Sequence, residues 1–570
     1  ALAPMMQYWA RAENPSPRFA FGLPKNMSSG LYECADGSWI HMMGRFEAVI
    51  QIPEAAAVIE ALTEDELARA GEKIARFVAP PALVSDPRIL VAAFLKRSAS
   101  EWLPLLWAND IAVQPANPPG EVLRDEQAAA NGYVIRVDDP ELGRLTQAGT
   151  PFSVTPPSRV SRPAPRLDEN GKEVLAERRP APTAASGSTG RPGAGPLDGV
   201  RVLDFGNFLA GPFSPMLMSD LGAEVIKLEA TTGDMMRHVA RSFCGCQRGK
   251  RSIGLDLKNP DVRPVVEELV RRADIVHHNL RYPAAKKLRI DYDSLAALHP
   301  TLIYCHTSSY GRRGERADWP GYDQLFQACS GWEVASGGPG NPPLWHRMGM
   351  MDHQNAMAST VATLLALRER DRTGRGQFLS SSILGACVLT MSELYLDANG
   401  ELASFPGVDS RQTGIGPGYR IYEVRDGWIA VAALGKTHLE ALQGVAGATS
   451  PDALESALAE RESSELLMAL DAAGVPAEPV RTGQEQGFFD NAEHREARMS
   501  VAYPHAEMGV MEQVGALWNF ADLPQPLDQA PPTLGQHTRE ILSELGTAPS
   551  QIDAWVDSGA VAIDTRHTPW

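Results

Sequence analysis

Short apolar runs alternate with a helical pattern in the middle of the chain. Residues 200–205 and 224–229 predict buried strands, and the apolar stretch 213–221 between them predicts a helix. Residues 275–278 and 302–307 predict two further strands. This alternation predicts an α/β fold built on a Rossmann-like parallel sheet. The turn after the first strand lacks the G-x-G-x-x-G pattern, which argues against NAD or FAD as a cofactor.

A second helical pattern begins close to Asp352. Apolar residues recur at helical spacing from Asn355 to Arg368, and the pattern stops at residues 373–376. We expect Asp352 to be the N-cap of this helix, because the free N–H groups of a first turn favour a negative charge. Capping alone would explain an aspartate here, so any chemical role depends on the surrounding motifs.

Three segments near the N-terminus recur near the C-terminus. We infer an internal repeat, and it is unequal, because nothing before residue 165 matches the long stretch 197–400. Asp352 therefore has no counterpart in the first copy. The paired segments are 32–40 with 422–429, 110–115 with 474–479, and 141–143 with 507–509.

The repeat predicts how the chain divides into domains. Residues 178–196 are rich in Pro, Ala, Gly, Ser and Thr, which is typical of a flexible linker. Because the chain opens on Ala1 rather than Met, we expect the first half of the first copy to lie upstream; the alternative is a naturally truncated remnant. The predicted units are the C-terminal part of a first copy (1–165), a linker (166–196), a Rossmann-like domain (197–400), a small α/β domain (401–482) and a return segment with a C-terminal helix (483–570).

Composition narrows the possible partners and compartment. The chain has 570 residues, 44% of them hydrophobic, and a net charge of −17, which argues against nucleic-acid and anionic-membrane partners. It has no long apolar run and no signal pattern near its start. The six cysteines are scattered, and Cys244 and Cys246 lack a matching Cys/His pair for zinc. We expect reduced thiols and a cytoplasmic location.

An ordered series of motifs carries a family resemblance. Each motif is weak alone, but the ordered set is specific. Together they closely resemble the class III CoA-transferases, the group of formyl-CoA and carnitine CoA-transferases, whose superfamily also contains the α-methylacyl-CoA racemases. The motifs are LDGVRVLDF at 197–205, LAGP at 209–212, DLGAEVIKLE at 220–229, RGKRSI at 248–253, ADIV at 273–276, PGYD at 320–323 and RTGRGQ at 372–377.

The resemblance implies a covalent mechanism at Asp352, the residue that matches the family nucleophile. Its carboxylate would attack the donor thioester to give a mixed anhydride, and CoA thiolate would then convert this to an aspartyl-CoA thioester, splitting a difficult exchange into easier steps. We expect the adjacent helix N-terminus to keep Asp352 ionised. CoA is then the only cofactor, as a substrate, and no metal is required.

The resemblance also implies the remaining site residues. Tyr322 and Asp323 match a pair that lines the family's active site, and Gly416 lies in the glycine-rich loop. Leu209 replaces a glutamine of formyl-CoA transferase, which argues against oxalate and formate and for a larger, partly apolar acyl group. The positions expected to contact CoA are Leu255, Lys258, Asn279, Leu280 and Lys287, with Lys250 and Arg251 adding charge.

The family resemblance implies an interlocked dimer, either between two chains or as a pseudo-dimer with the missing half of the first copy. Two other activities remain open: racemisation of an α-methylacyl-CoA, and CoA transfer coupled to a lyase step. Racemases have a His-Asp pair where this chain has Tyr322 and Asp323, and tyrosine, with a pKa of about 10, is a poor general base. A purely structural role is a further alternative for residues 1–165.

Overall fold

One large mixed sheet and four smaller sheets, with helices packed around them, form the fold. No helix within the described ranges is long and apolar enough to cross a membrane. The computed structural model describes residues 10–15, 29–75, 86–160, 162–177, 195–346, 348–481, 484–518, 520 and 527–563, and the side chains of 484–486 lie outside this description.

The large sheet has eight strands, and its six central strands are parallel; the apolar runs predicted four of these six. Adjacent residues alternate between two cores, one on each face, because successive side chains of a strand point in opposite directions. In spatial order the strands are Val561–Ala562, Lys250–Leu255, Glu224–Glu229, Arg201–Asp204, Ile275–His278, Ile303–Ser308, Gln377–Ser382 and Phe152–Ser153.

Helices cover both faces of this sheet. Helix Phe213–Asp220 connects the first two parallel strands, as predicted, and helix Met350–Thr373 packs against several of them. The others in this part of the chain are Ala240–Cys244, Arg263–Arg271, Tyr282–Lys287, Tyr292–Ala296, Asp323–Ser330, Trp332–Gly337 and Ile383–Thr390.

The two edges of the large sheet differ from the parallel arrangement that the sequence predicts. Both edge strands, Val561–Ala562 and Phe152–Ser153, are antiparallel and only two residues long. They come from the C-terminal and N-terminal parts of the chain, so no local βαβ pattern could reveal them. Their effect is to cover edges that would otherwise expose unpaired backbone groups.

A smaller domain follows the large one and has its own core, which includes Ile429, Val431 and Leu442. Its four-stranded sheet is antiparallel. The strands are Gly414–Gly416, Tyr419–Val424, Gly427–Ala432 and Ala477–Pro479, and the helices are Gly435–Ala446, Leu454–Ala459 and Ser463–Ala472.

The C-terminal segment returns to the large domain. Phe489 packs with Phe213, and Ile541 joins the core beneath the sheet. Strands Ser500–His505 and Gly509–Val514 form a hairpin, to which Ala10–Ala12 adds a third strand. The helices of this segment are Gln484–Asp490, Ala492–Glu496, Thr538–Glu544 and Pro549–Asp557.

The N-terminal segment builds a small antiparallel sheet and a hairpin. Its helices enclose a separate core that includes Trp102. The sheet consists of Gly30–Glu33, Trp39–Met43 and Ala112–Pro115, the hairpin of Val134–Asp139 and Gly143–Ala148, and the helices are Phe46–Ile50, Pro53–Glu60, Glu64–Ile74, Pro87–Phe94, Ala99–Ala108 and Glu126–Ala130.

The segments that repeat in sequence also pair in the same register. In the hairpins, Asp139 lies opposite Gly143, as His505 lies opposite Gly509. Residues on one face of three neighbouring strands in the N-terminal sheet therefore correspond to residues in the sheet of the smaller domain. The corresponding rows in the sheets are Tyr32–Ile40–Pro115 and Tyr422–Ile429–Pro479.

The N-terminal segment packs directly on the large domain. Gln114 Nε2 donates to the hydroxyl oxygen of Tyr310 over 2.7 Å, and the backbone N–H of Asn117 donates to the Ala328 carbonyl over 3.0 Å. Because Gln114 and Tyr310 are both buried, this contact excludes water. The two parts of the chain therefore share an interface beside the helix that carries Asp323.

Part of the predicted linker, 166–196, lies among the described residues. Helix Gly171–Ala176 lies within it, and this helix has no buried residue. Most of the Pro/Gly-rich stretch, residues 178–194, lies outside the described residues.

Candidate active site

Asp352 lies in the first turn of helix Met350–Thr373, not at its N-cap. Gly349 takes the N-cap position and has no side chain to accept a hydrogen bond. The helix therefore begins about three residues earlier than the capping pattern predicts. An acidic residue in the first turn still lies beside the positive end of the helix dipole.

Another carboxylate performs the capping. Asp323 begins helix Asp323–Ser330, and its Oδ2 accepts the backbone N–H of Asp352 over 2.9 Å. Its Oδ1 accepts a hydrogen bond from the side-chain amide of Gln327. The same amide also donates to the carbonyls of His346 (2.9 Å) and Met348 (3.1 Å). Gln327 thus fixes both Asp323 and the segment that leads into Asp352.

The two carboxyl groups have raised pKa values. Burial raises the pKa of Asp323 to about 7. Burial and the negative charge of Asp323 raise the pKa of Asp352 well above its usual range. Asp352 Oδ1 is buried and has no hydrogen-bond partner among the described residues. The helix terminus donates the N–H of Asp352 to the carboxylate of Asp323, so it does not lower the pKa of Asp352 as the sequence suggested.

Tyr322 lies next to the loop that follows the first strand of the large sheet. The rings of Tyr322 and Phe208 meet edge to face, with centroids 6.2 Å apart. Phe208 has a φ of 60°, and its N–H donates to Asp234 Oδ1 over 3.2 Å. Leu209, the next residue, is buried in a core with Phe213. The substrate argument built on Leu209 stays a prediction.

A layer of buried ion pairs supports this loop. Lys250 Nζ is fully buried and contacts Asp204 Oδ2, the Pro212 carbonyl and Gln247 Oε1 at 2.7–2.8 Å. Burial alone would raise the pKa of Asp204, but the nearby lysine charges outweigh it and lower that pKa. Lys250 is thus a structural cation here, contrary to the expectation that it adds charge for CoA.

Arg251 points the other way and is only partly buried. Its guanidinium pairs with Glu224, Glu540 and Glu544 at 2.7–3.1 Å. These three carboxylates neutralise the charge that was expected to attract CoA phosphates. Arg251 therefore joins helix Thr538–Glu544 to the sheet in this arrangement.

The other positions expected to contact CoA lie at one end of the sheet. The side-chain amide of Asn279 exchanges two 2.8 Å hydrogen bonds with the backbone of Asn207, which ties two loops together. Leu255 is buried in the core, so only its backbone is available. Lys258 and Lys287 are exposed and make no ion pair within the described residues. Their contact with CoA stays a prediction.

Gly416 lies in the smaller domain, in strand Gly414–Gly416. A Cβ atom added to Gly416 would meet nothing within 4 Å, so packing does not require glycine there. The preceding loop contacts the large domain, where Gln412 Nε2 donates to the Gly337 carbonyl over 3.0 Å. The role of Gly416 beside the nucleophile stays a prediction.

The sequence did not identify a buried pair behind Asp323. Nδ1 of His41 lies 2.8 Å from Oε1 of Glu333, and both side chains are fully buried. His41 belongs to the N-terminal sheet and Glu333 to helix Trp332–Gly337, 292 residues away. Burial raises the pKa of Glu333, His41 opposes this, and the charge of Glu333 also raises the pKa of Asp323. No local pattern could have found a pair so distant in sequence.

Comparisons with known proteins agree with this architecture. A succinyl-CoA:mesaconate CoA-transferase from Haloarcula hispanica is 32% identical over 390 residues, covering 62% of this chain and 97% of the relative. A succinyl-CoA–D-citramalate CoA-transferase from Chloroflexus aurantiacus is 30% identical over 386 residues, covering 61% and 94%. The crystal structure of a CAIB/BAIF family protein from Brucella suis matches with a TM-score of 0.54 and 27% identity, covering 62% of this chain and all of that one.

The family assignment covers both parts of the chain. The description "CoA-transferase family III" matches residues 2–171 and 197–538, on either side of the predicted linker. This is most of the 570 residues. The protein is therefore a transferase that belongs to CoA-transferase family III.

Proposed function

We propose that the protein moves CoA from an acyl-CoA donor to a carboxylic acid acceptor, with Asp352 as the covalent carrier. The observation that carries this proposal is the carboxyl pair at the start of helix Met350–Thr373. Asp323 is fixed by the N–H of Asp352 and by Gln327, whereas Asp352 Oδ1 has no partner among the described residues. Asp352 is only half-buried, and a carboxyl that no protein group engages beside a helix start suits a nucleophile.

The proposed steps conserve atoms and charge. The Asp352 carboxylate attacks the thioester carbonyl, the C–S bond breaks, and CoA thiolate leaves an acyl-aspartyl anhydride. The thiolate then attacks the aspartyl carbonyl, which releases the donor acid and forms an aspartyl-CoA thioester. The acceptor carboxylate attacks this thioester and releases CoA thiolate, which gives a second mixed anhydride. The thiolate then attacks the acceptor's carbonyl carbon, which forms the new acyl-CoA and frees the Asp352 carboxylate.

Asp323 has a positioning role in this scheme. Its carboxylate holds the N–H of Asp352, and its charge makes Asp352 a more basic nucleophile than an isolated aspartate. Because attack requires the ionised form of Asp352, the rate should fall as pH decreases through the raised pKa. The pH profile of kcat/KM should therefore show an acid limb well above pH 4, the usual aspartate range.

The relatives suggest a donor class. Two of them are named for succinyl-CoA, with mesaconate or D-citramalate as the other acid. We propose a short dicarboxylyl-CoA as donor and a dicarboxylic acid as acceptor. An acceptor panel with succinyl-CoA, and succinate release as the readout, would test this choice.

Mass spectrometry of trapped intermediates tests the mechanism. The protein would be incubated with a panel of acyl-CoAs and trapped with hydroxylamine or borohydride, alongside D352A and D371N. Asp371 lies exposed on the same helix, so D371N is a matched control. We expect an adduct on the peptide that contains Asp352 in the wild type and in D371N, and none in D352A.

Two outcomes would favour the other activities. Deuterium entering the α-carbon of a 2-methylacyl-CoA in heavy water, without any adduct, would replace transfer by racemisation. An alkene product formed from the transferred acyl group would indicate CoA transfer coupled to a lyase step. Transfer with neither signal excludes both.

We further propose that the chain is a tandem protein whose first part acts as a pseudo-subunit. The matching registers of the two sheets and the two hairpins support an internal repeat, as does the match of the family description on both sides of the linker. The first part contacts the large domain beside Asp323, through His41 and Gln114. An interlocked pair within or between chains follows from this arrangement, and size-exclusion chromatography with light scattering tests whether a second chain takes part.

A further inference from the structure

A small cavity lies at the start of helix Tyr282–Lys287. It has a volume of about 210 Å³, and its walls come from that helix, from the end of a central strand and from the loop after it. Two cations and two rings dominate the walls: Lys286, Arg312, Tyr282 and His306. Asp318, which is exposed, is the carboxylate on the described lining.

Arg312 has an unusual environment for a partly buried arginine. Its guanidinium carbon lies 3.5 Å from the centre of the Tyr282 ring and 4.9 Å from that of Phe378. Within the described residues it has neither a hydrogen-bond acceptor nor an ion-pair partner. A guanidinium carries five N–H donors in a planar fork that matches phosphate oxygens. Stacking holds this fork in place and leaves its donors available.

The surrounding charges favour an anion. Burial lowers the pKa of His306 to about 3, so this ring is neutral and adds no positive charge. Lys286 Nζ lies 5.7 Å from the centre of the Tyr282 ring, on the same side of the helix one turn later. The positive charge at the cavity thus comes from Arg312 and Lys286.

The cavity adjoins a position already expected to contact CoA. The backbone of Leu280 is held on both sides, because its N–H donates to His278 Nδ1 over 3.2 Å and its carbonyl lies 3.0 Å from His306 Nε2. Lys287 is exposed on the helix that begins with Tyr282. By contrast, Lys250 and Arg251 are already neutralised by carboxylates.

We propose that Arg312, stacked on Tyr282, binds a phosphate group at the nucleotide end of CoA. The inference rests on the proposed function, because it assumes that CoA is the ligand. The shared chemistry is a phosphate ester, which CoA offers either as its 3′-phosphate or as its pyrophosphate. Arg312 would supply the charge that Lys250 and Arg251 do not provide.

Calorimetric titration with three ligands tests this contact. CoA, 3′-dephospho-CoA and pantetheine, which carries no phosphate, would be titrated into the wild type, R312Q and R312K. R313Q is the matched control, because Arg313 is the exposed neighbour in the same loop. We expect R312Q to weaken CoA binding by about tenfold or more, as for a lost hydrogen bond between charged groups. R312K should lose less, and R313Q should remain near the wild type.

The ligand series separates the outcomes. A loss for CoA but not for 3′-dephospho-CoA assigns the 3′-phosphate, and a loss for both but not for pantetheine assigns the pyrophosphate. Equal losses for all three, or no loss in R312Q, would overturn the proposal. If the wild type transfers CoA and R312Q binds CoA normally, the Arg312 site is refuted but the proposed function is not. If the wild type binds no CoA, the proposed function is refuted as well.

Discussion

Two groups of buried carboxylates lie in the same α/β domain, and their surroundings differ. The cation-free group consists of Asp323 and Asp352, which meet no lysine or arginine within hydrogen-bond distance among the described residues and have raised pKa values. The cation-paired group consists of Asp204, Asp220, Glu229 and Asp234, held respectively by Lys250, Arg248, Arg237 and Lys227.

The difference separates carboxylates paired with structural cations from those in the proposed active site. A buried charge is tolerated when a cation and hydrogen bonds compensate for lost water, and Arg237 accordingly lowers the pKa of Glu229 to about 2 despite burial. A buried carboxyl without such a partner has its pKa raised towards neutral pH, where it can exchange a proton. Such shifts are typical of functional sites. We therefore expect opposite responses when members of the two groups are replaced.

The largest effect is expected at Asp352. D352N removes the carboxylate that we propose as the covalent carrier, so kcat/KM should fall by about 10³-fold or more, as for other lost nucleophiles. Stability at pH 8 should be unchanged or higher, because a carboxyl with a raised pKa no longer has to ionise. Steady-state transfer assays and urea unfolding would measure both, with D371N as control. Activity retained in D352N would remove Asp352 from the mechanism.

The next effect is expected at Lys250, on stability. K250M leaves Asp204 buried without its nearest cation, so the free energy of unfolding should fall by about 3–5 kcal/mol. K436M is the control, because Lys436 lies on an exposed helix and its ion pair with Glu440 is solvated. Urea unfolding compares the two. If K250M were as stable as K436M, the cation-paired group would not have the structural role assigned to it.

The pH dependence of stability should distinguish the two groups. The raised pKa values mean that the folded protein holds protons which the unfolded chain releases. This contribution is complete below about pH 4, and is lost as pH rises through about 7, the pKa of Asp323. Glu229 acts oppositely: its contribution is present above about pH 4.5, and is lost as pH falls towards about 2.

Unfolding at pH 5 and pH 8 provides the measurement. We expect the free energy of unfolding to decrease more between these values in the wild type than in the D323N/D352N double variant, by about 1.4 kcal/mol for each unit of pKa shift removed. D371N should follow the wild type. Equal decreases in all three proteins would show that the cation-free carboxyls do not hold extra protons.

Glu333 is intermediate between the groups, because its partner is a histidine from the N-terminal segment. H41A leaves the Glu333 carboxyl buried without that partner, and stability should fall by about 1–3 kcal/mol. The position that corresponds to His41 in the sheet of the smaller domain is Ala430, so that sheet has no matching histidine. H438A, in the smaller domain, should change stability by less than about 0.5 kcal/mol. A pH profile of kcat/KM shifted in H41A but not in H438A would indicate that the N-terminal segment influences the active site.

Sequence patterns predicted the local features and missed the long-range ones. The central strands at Arg201–Asp204 and Ile275–His278 follow from continuous apolar runs, because a parallel strand is buried on both faces. The start of the helix near Asp352 was also predicted to within about three residues. The antiparallel edge strands could not be predicted, because they come from segments far away in the chain.

The roles of individual charges depended on tertiary partners. Lys250 and Arg251 are adjacent and look alike in sequence, yet alternation along the strand turns one towards buried Asp204 and the other towards surface glutamates. Likewise, the sequence indicated Asp352 as the helix cap, whereas the carboxylate of Asp323, 29 residues earlier, accepts the first-turn N–H of Asp352. Sequence identified which residue types are at the site but not which carboxyl binds the helix.

The smallest effect is expected at Arg251, whose ion pairs lie near the surface. Its side chain is 18% exposed and those of its three partners are 34–59% exposed, so water screens the pairs. R251Q should cost about 1 kcal/mol or less, and the loss should shrink at high salt. The Kd for CoA should remain that of the wild type. A tenfold weaker Kd would mean that Arg251 exchanges its carboxylates for a CoA phosphate, and that a cation-paired residue also takes part in binding.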